Sequence, residues 1–105
     1  HYIAWQNEPH WIANITLGDK NSYYQFIASW NNRSEAWHIT IKQDEAIIIE
    51  GVSLVLNVNL LDMASSKKMP NCMLIPSSDN SRIERIDFEN VIKADVKLYH
   101  IVTED

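Results

Sequence analysis

The chain of 105 residues has one cysteine, two glycines and three prolines, and each shortage removes a class of protein. A lone cysteine, Cys72, closes no intrachain disulfide, so the fold rests on its core. A domain of this length buries roughly two-thirds of its unfolded surface, which suffices without disulfides or metals. Scarce Gly and Pro beside four Trp and four Tyr exclude a flexible linker or a disordered tail. No apolar run approaches the roughly 20 residues of a membrane span, so no membrane insertion is expected. Basic residues are few as well: nine against fourteen acidic ones, for a net charge of −5. Lys67-Lys68 is the nearest thing to a basic cluster, far short of what displaces counterions from phosphate, so no direct nucleic-acid binding is expected. The opening His1-Tyr2-Ile3-Ala4-Trp5 lacks the regions of a signal peptide, and an intracellular, reducing site of synthesis is the expectation. On that reading the sequons at Asn14-Ile15-Thr16 and Asn32-Arg33-Ser34 carry no meaning.

What is present is strand signal, punctuated by turns. Trp11, Ala13, Ile15 and Leu17 alternate with polar or smaller neighbours until Gly18-Asp19. Tyr24, Phe26, Ala28 and Trp30 form one face of the next strand. Asn31-Asn32-Arg33-Ser34 reads as a hairpin loop, on the ground that Asn tolerates left-handed backbone. Trp37, Ile39 and Ile41 return antiparallel, placing Trp30 and Trp37 near the closed end. After the Gln43-Asp44-Glu45 turn, Ala46 to Glu50 is a short strand. From Val52 to Leu60 apolar residues alternate over a length that demands a bend near Asn57-Val58-Asn59.

Leu60 to Met63 suits one helical turn, and residues 64–70 an exposed loop. Cys72 to Ile75 reads as a strand stopped by Pro76, and Ser77 to Arg85 as polar loop. Ile86 to Ile92 fits a turn or short helix. Asp95 to Val102 reads as the last strand. Short strands at this spacing predict an all-β fold, a small antiparallel barrel or sandwich with one or two short helical turns. The division expected is an N-terminal arm over residues 1–8 and a single β-rich domain over 9–105.

The pattern of reactive residues argues against catalysis. His1, His10, His38 and His100 show no metal-ligand spacing, and no Cys-x-x-Cys joins them, so neither metal nor cofactor is expected. Only His38 and His100 have positions that could meet across strands. The serines lie in polar loops, none in a nucleophile elbow. Both glycines are isolated, which excludes a Gly-rich phosphate loop.

The aromatics are the remaining signal. Trp30 and Trp37 read as covers of the core. Trp5 and Trp11, near the start of the chain, have less around them to bury against. The arm from Tyr2 and Ile3 to Trp5 is too short for a core of its own. It either packs on its own domain or pairs with a neighbouring subunit's sheet edge. A second class of function is a β-module that binds carbohydrate or another ligand by stacking on exposed Trp5, Trp11 or Trp37.

The order of signals resembles a known family. A strand ending in Leu17-Gly18 leads to a Tyr-bearing strand that reaches Trp30-Asn31-Asn32-Arg33. Trp37-His38-Ile39 and Asp44 follow, then Ile49-Glu50-Gly51-Val52-Ser53-Leu54 and Leu60-Leu61. The chain closes with Val96-Lys97-Leu98-Tyr99-His100 and Thr103-Glu104. From Trp5 to Glu104 this is similar to the small baseplate plug proteins of tailed bacteriophages. It departs from them where Ser65 to Lys68 and Asn71 to Met73 lack a glycine and where His100 replaces an aromatic. The resemblance implies a non-enzymatic virion component, made in the host cytoplasm and placed at the tail baseplate. It implies contacts with hub, tube or spike proteins, and several copies forming a ring around the central axis. Tyr2, Ile3, Trp5, Trp11, Arg33 and Trp37 are the interface residues expected on that reading.

Overall fold

The computed structural model describes residues 2–18, 22–63, 72–80 and 82–102. Seven strands run in chain order: β1 (Tyr2–Ile3), β2 (His10–Leu17), β3 (Ser22–Asn31), β4 (Ala36–Gln43), β5 (Ala46–Ser53), β6 (Cys72–Ser77) and β7 (Lys97–Val102). A 3-10 turn spans Leu60–Met63, and α1 spans Phe88–Ile92. The strands form two antiparallel sheets, β2-β3-β4-β5 and β1-β7-β6. Both sheets end in edges instead of closing on each other, so the all-β fold is a sandwich and not a barrel.

Period-two burial explains the larger sheet. Tyr24, Phe26 and Ala28 of β3 and Trp37, Ile39 and Ile41 of β4 are buried, and the residues between them face outward. Leu74 of β6 and Leu98 of β7 close the core from the other side. The β3–β4 hairpin pairs Trp30 with Trp37, the register the alternation predicts. Its turn works differently from the expectation. The left-handed residue is Glu35 (φ 50°), while Asn31 acts through its side chain, accepting the N–H groups of Arg33 and Ser34 at 2.9 and 3.1 Å. Such Asx bonds organise a loop without putting the Asn itself at positive φ.

Three strand boundaries differ from the sequence reading. The alternation from Val52 to Leu60 is strand only as far as Ser53, and residues 54–59 lie in no strand. Strand β5 continues through Gly51 to Ser53, because register shifts against β4 absorb the extra residues and Gly51 takes φ 60°. Pro76 does not stop β6; it pairs with Leu98 inside the strand. Proline is tolerated there because β6 is an edge, where its missing N–H breaks no ladder bond. Its carbonyl accepts from Asn57 N–H at 2.7 Å. Asn57 at φ 65° makes the expected bend, and the 3-10 turn and α1 lie where short helical turns were predicted. The loop expected over residues 64–70 lies outside the described residues.

Asn59 ties the bend to β6. Its Oδ1 accepts from Leu61 N–H at 3.1 Å and from Leu74 N–H at 2.9 Å. Asp87 caps α1, accepting the N–H groups of Glu89 and Asn90, while the Asn90 side chain accepts from Asp87 N–H to complete a capping box.

Candidate interaction surfaces

The six residues expected at an interface occupy three different environments. Trp11, Trp37 and Ile3 are buried, at 3%, 0% and 9% exposure, within the chain's own core. Trp5 is half-buried and meets Trp11, Trp37 and Phe26 edge-on, with ring centroids 5.0, 5.1 and 5.9 Å apart. Tyr2 and Arg33 stand exposed, Tyr2 on β1 and Arg33 in the β3–β4 turn. The arm takes the first of its two alternatives in this chain: Tyr2 and Ile3 pair with Tyr99 and Leu98 of β7, and Lys97 Nζ lies 4.8 Å from the Tyr2 ring centre. Sequence reasoning underestimated how deeply the early tryptophans sit, because Trp5 and Trp11 pack on each other and on Phe26, and Trp5 also on Trp37.

A stacking platform needs a tryptophan face open to solvent. Trp30, half-buried, is covered by Trp37 and Phe88 at 5.7 and 5.6 Å, and its Nε1–H donates to Asn32 Oδ1 at 2.8 Å. With Trp11 and Trp37 inside and Trp5 wedged between rings, none of the four is exposed. Trp30 and Phe88 do floor an open cleft of about 510 Å³ rimmed by Glu35, Arg85, Asp87 and Glu89. Arg85 already pairs with Glu35 there, at 3.7 Å and exposed, a contact of little energetic weight.

Burial shifts two of the titratable residues near the sheet ends. Cys72 is 5% exposed, and burial pushes its thiol up to about 11, so it is protonated at neutral pH and a poor nucleophile. Burial lowers the pKa of His100, whose Nε2 accepts Gly18 N–H at 3.2 Å. His38 and His100 belong to different sheets. His38 has Ser34 Oγ at 3.0 Å from Nε2 and Gly51 O at 3.1 Å from Nδ1. Among the described residues no three His, Cys, Asp or Glu side chains gather as metal ligands.

What the fold does build is a broad outward face on the four-stranded sheet. The strand register aligns His10, Ser29, His38 and Ser53 in one row, Ile12, Ile27 and Thr40 in the next, and Asn14, Gln25, Lys42 and Ile47 in a third. Fourteen carboxylates are distributed along the chain, yet none falls on β2, β3 or β4. Ile12 is 50% and Tyr23 73% exposed on this face. A protein of net charge −5 thus presents three adjacent strands of one face without acidic side chains, with Glu50 of β5 at their border. The sequence held that signal, as three consecutive strands without Asp or Glu; only the register shows that they are neighbours.

The fold is a two-sheet β-sandwich with an outward strand face and open sheet edges. In comparison with protein families, a family described as cyanophage baseplate Pam3 plug gp18 matches residues 1–104. The chain belongs to this family of phage baseplate plug proteins. Membership implies a structural role at the tail tip, a place in the virion tail and association with other phage tail proteins. No curated protein matches the chain.

Proposed function

We infer that the protein is a non-enzymatic plug in the tail baseplate, packing around the central axis against hub, tube or spike proteins as a ring of several copies. The family match across residues 1–104 carries this reading. The outward face of β2, β3 and β4 supports it, since a docking face gains from having no carboxylates to desolvate. The other surfaces, where the acidic residues concentrate, suit a passage that DNA crosses without adhering. Synthesis in the host cytoplasm follows from the same reading.

Quantitative peptide mass spectrometry on gradient-purified particles tests it. A fixed ratio to the tail-tip proteins, at a few copies per particle, is expected, and that ratio gives the symmetry of the ring. Absence from the particles would overturn the reading.

A further inference from the structure

A cleft of about 460 Å³ runs between residues 2–6 and the outer edge of β2, lined by Tyr2, Trp5, Trp11, Ala13, Ile15 and Tyr23 among others. Among the described residues strand β2 pairs with β3 on one side only, so there the side facing the cleft is a free sheet edge. The bond from Trp30 N–H to Pro9 C=O, 2.7 Å, fixes the phase of the ladder. Backbone direction alternates along a strand, so Trp11, Ala13, Ile15 and Leu17 turn their N–H and C=O groups toward β3. Ile12, Asn14 and Thr16 turn theirs away, toward the free edge.

Strand edges normally carry a device against pairing: shortness, charge, proline or a bulge. Three of the four edges here have one. Strand β1 has two residues. Strand β5 carries two register shifts and Glu50. Strand β6 holds Pro76, and its edge is met by Asn57 and Asn59. Strand β2 has none: eight residues in unbroken register, without proline, bulge or any Lys, Arg, Asp or Glu. Beside it, Trp5 Nε1 and Trp11 Nε1 are buried donors that meet no acceptor among the described residues. Both nitrogens lie beneath the cleft surface, so they mark a costly corner of the core and not a contact of a docked segment.

We propose that this cleft takes an extended, uncharged segment of another tail protein, which adds to the four-stranded sheet beside β2. The proposal rests on the baseplate reading. The segment exchanges main-chain hydrogen bonds with Ile12, Asn14 and Thr16 and sets alternate apolar side chains on the cleft floor. Facing Trp11 to Thr16, it is about six residues and roughly 20 Å long at the rise of a strand. No lining residue is charged at neutral pH, so an acidic or basic segment would find no counter-charge there, and the net charge of −5 opposes an acidic one further. Residues 2–6 wall the far side of the cleft. A second copy would bring the same net charge of −5 and its whole four-stranded sheet behind its own β2, whereas a single segment brings neither.

The test uses phage whose plug gene is replaced by variants, read as plug copies per purified particle by mass spectrometry. Asn14→Pro deletes one outward N–H and no bond to β3; it is expected to enter particles at least tenfold less than wild type, with an unchanged melting temperature. Asn14→Ala keeps the N–H and is expected to lose far less incorporation than Asn14→Pro. Independently of any folding effect of proline, a benzophenone side chain at position 23 is expected to cross-link in intact particles to one contiguous, uncharged stretch of another tail protein. Cross-links to a second copy of this chain, no cross-links from plug present in particles, or normal incorporation of a folded Asn14→Pro each overturn the proposal. Absence of the wild-type chain from particles overturns the baseplate reading instead.

Discussion

Cys72 pairs with Val102 across β6 and β7, and burial pushes its thiol from 9.0 up to about 11. The neutral thiol is therefore favoured by the fold, and the contribution to stability is present below the unfolded-chain value near pH 9 and lost as pH rises toward 11. Two outcomes follow. A disulfide reagent at pH 8 is expected to label Cys72 slowly in the folded protein and rapidly in guanidinium; rapid native labelling would contradict the burial. Cys72→Val is expected to weaken the loss of stability between pH 9 and 11 relative to wild type. His100 works in the opposite direction. Its pKa is lowered by burial from 6.5, so protonation favours the unfolded chain. Its contribution is complete above pH 6.5 and is lost as pH falls below that value. The urea midpoint is expected to drop between pH 7.5 and 5.5, and to drop less in His100→Gln, whose amide oxygen can still accept Gly18 N–H. Equal drops in both proteins would show that the imidazole is not responsible.

Asn59 holds the 3-10 turn to β6 by accepting two backbone N–H groups, those of Leu61 and Leu74, with one oxygen. Replacing it by Ala leaves both donors without their partner in a part-buried site, a loss of about 1–3 kcal/mol in chemical unfolding. Asp62→Ala removes only the bond that Asn59 Nδ2–H donates to Asp62 Oδ1 at 3.2 Å and is expected to lose less; equal losses would place the effect elsewhere than in the two accepted bonds. Nothing local in Leu56-Asn57-Val58-Asn59 announces this knot, because Leu74 lies fifteen residues away in sequence. The strands themselves were legible. Period-two alternation in Trp11 to Leu17, Tyr24 to Trp30 and Trp37 to Ile41 fixed which face is buried, and the Asn-rich turn marked the hairpin. Alternation reports the face of a strand and is silent on its neighbours. Hence Pro76 read as a strand end when β6 is an edge that tolerates it. For the same reason the free edge of β2, and the cleft beside it, became visible only once β1 was found on β7.

At the scale of the molecule the charge distribution separates two kinds of surface. All fourteen carboxylates lie off β2, β3 and β4, so the outward face of those strands carries apolar, hydroxyl, amide and imidazole side chains, with Lys42 its single permanent charge on these strands. A single carboxylate placed there tests whether the face docks. Ile27 sits mid-face on β3 between Ile12 and Thr40, outward and half-buried, with no carboxylate on any of the three strands. Ile27→Glu leaves the core untouched, and a surface change of this kind alters stability by about 1 kcal/mol or less. Buried against a partner, the same carboxylate would have to shed its water with no cation opposite, a cost large enough to displace the contact. The expected result is a monomer that melts within a few degrees of wild type and is depleted at least tenfold from particles. A control carboxylate at exposed Arg82, in the segment already carrying Asp79 and Glu84, is expected to assemble normally. If Ile27→Glu enters particles as wild type does, the acid-free face is not buried in the baseplate, and docking must run through the sheet edges alone.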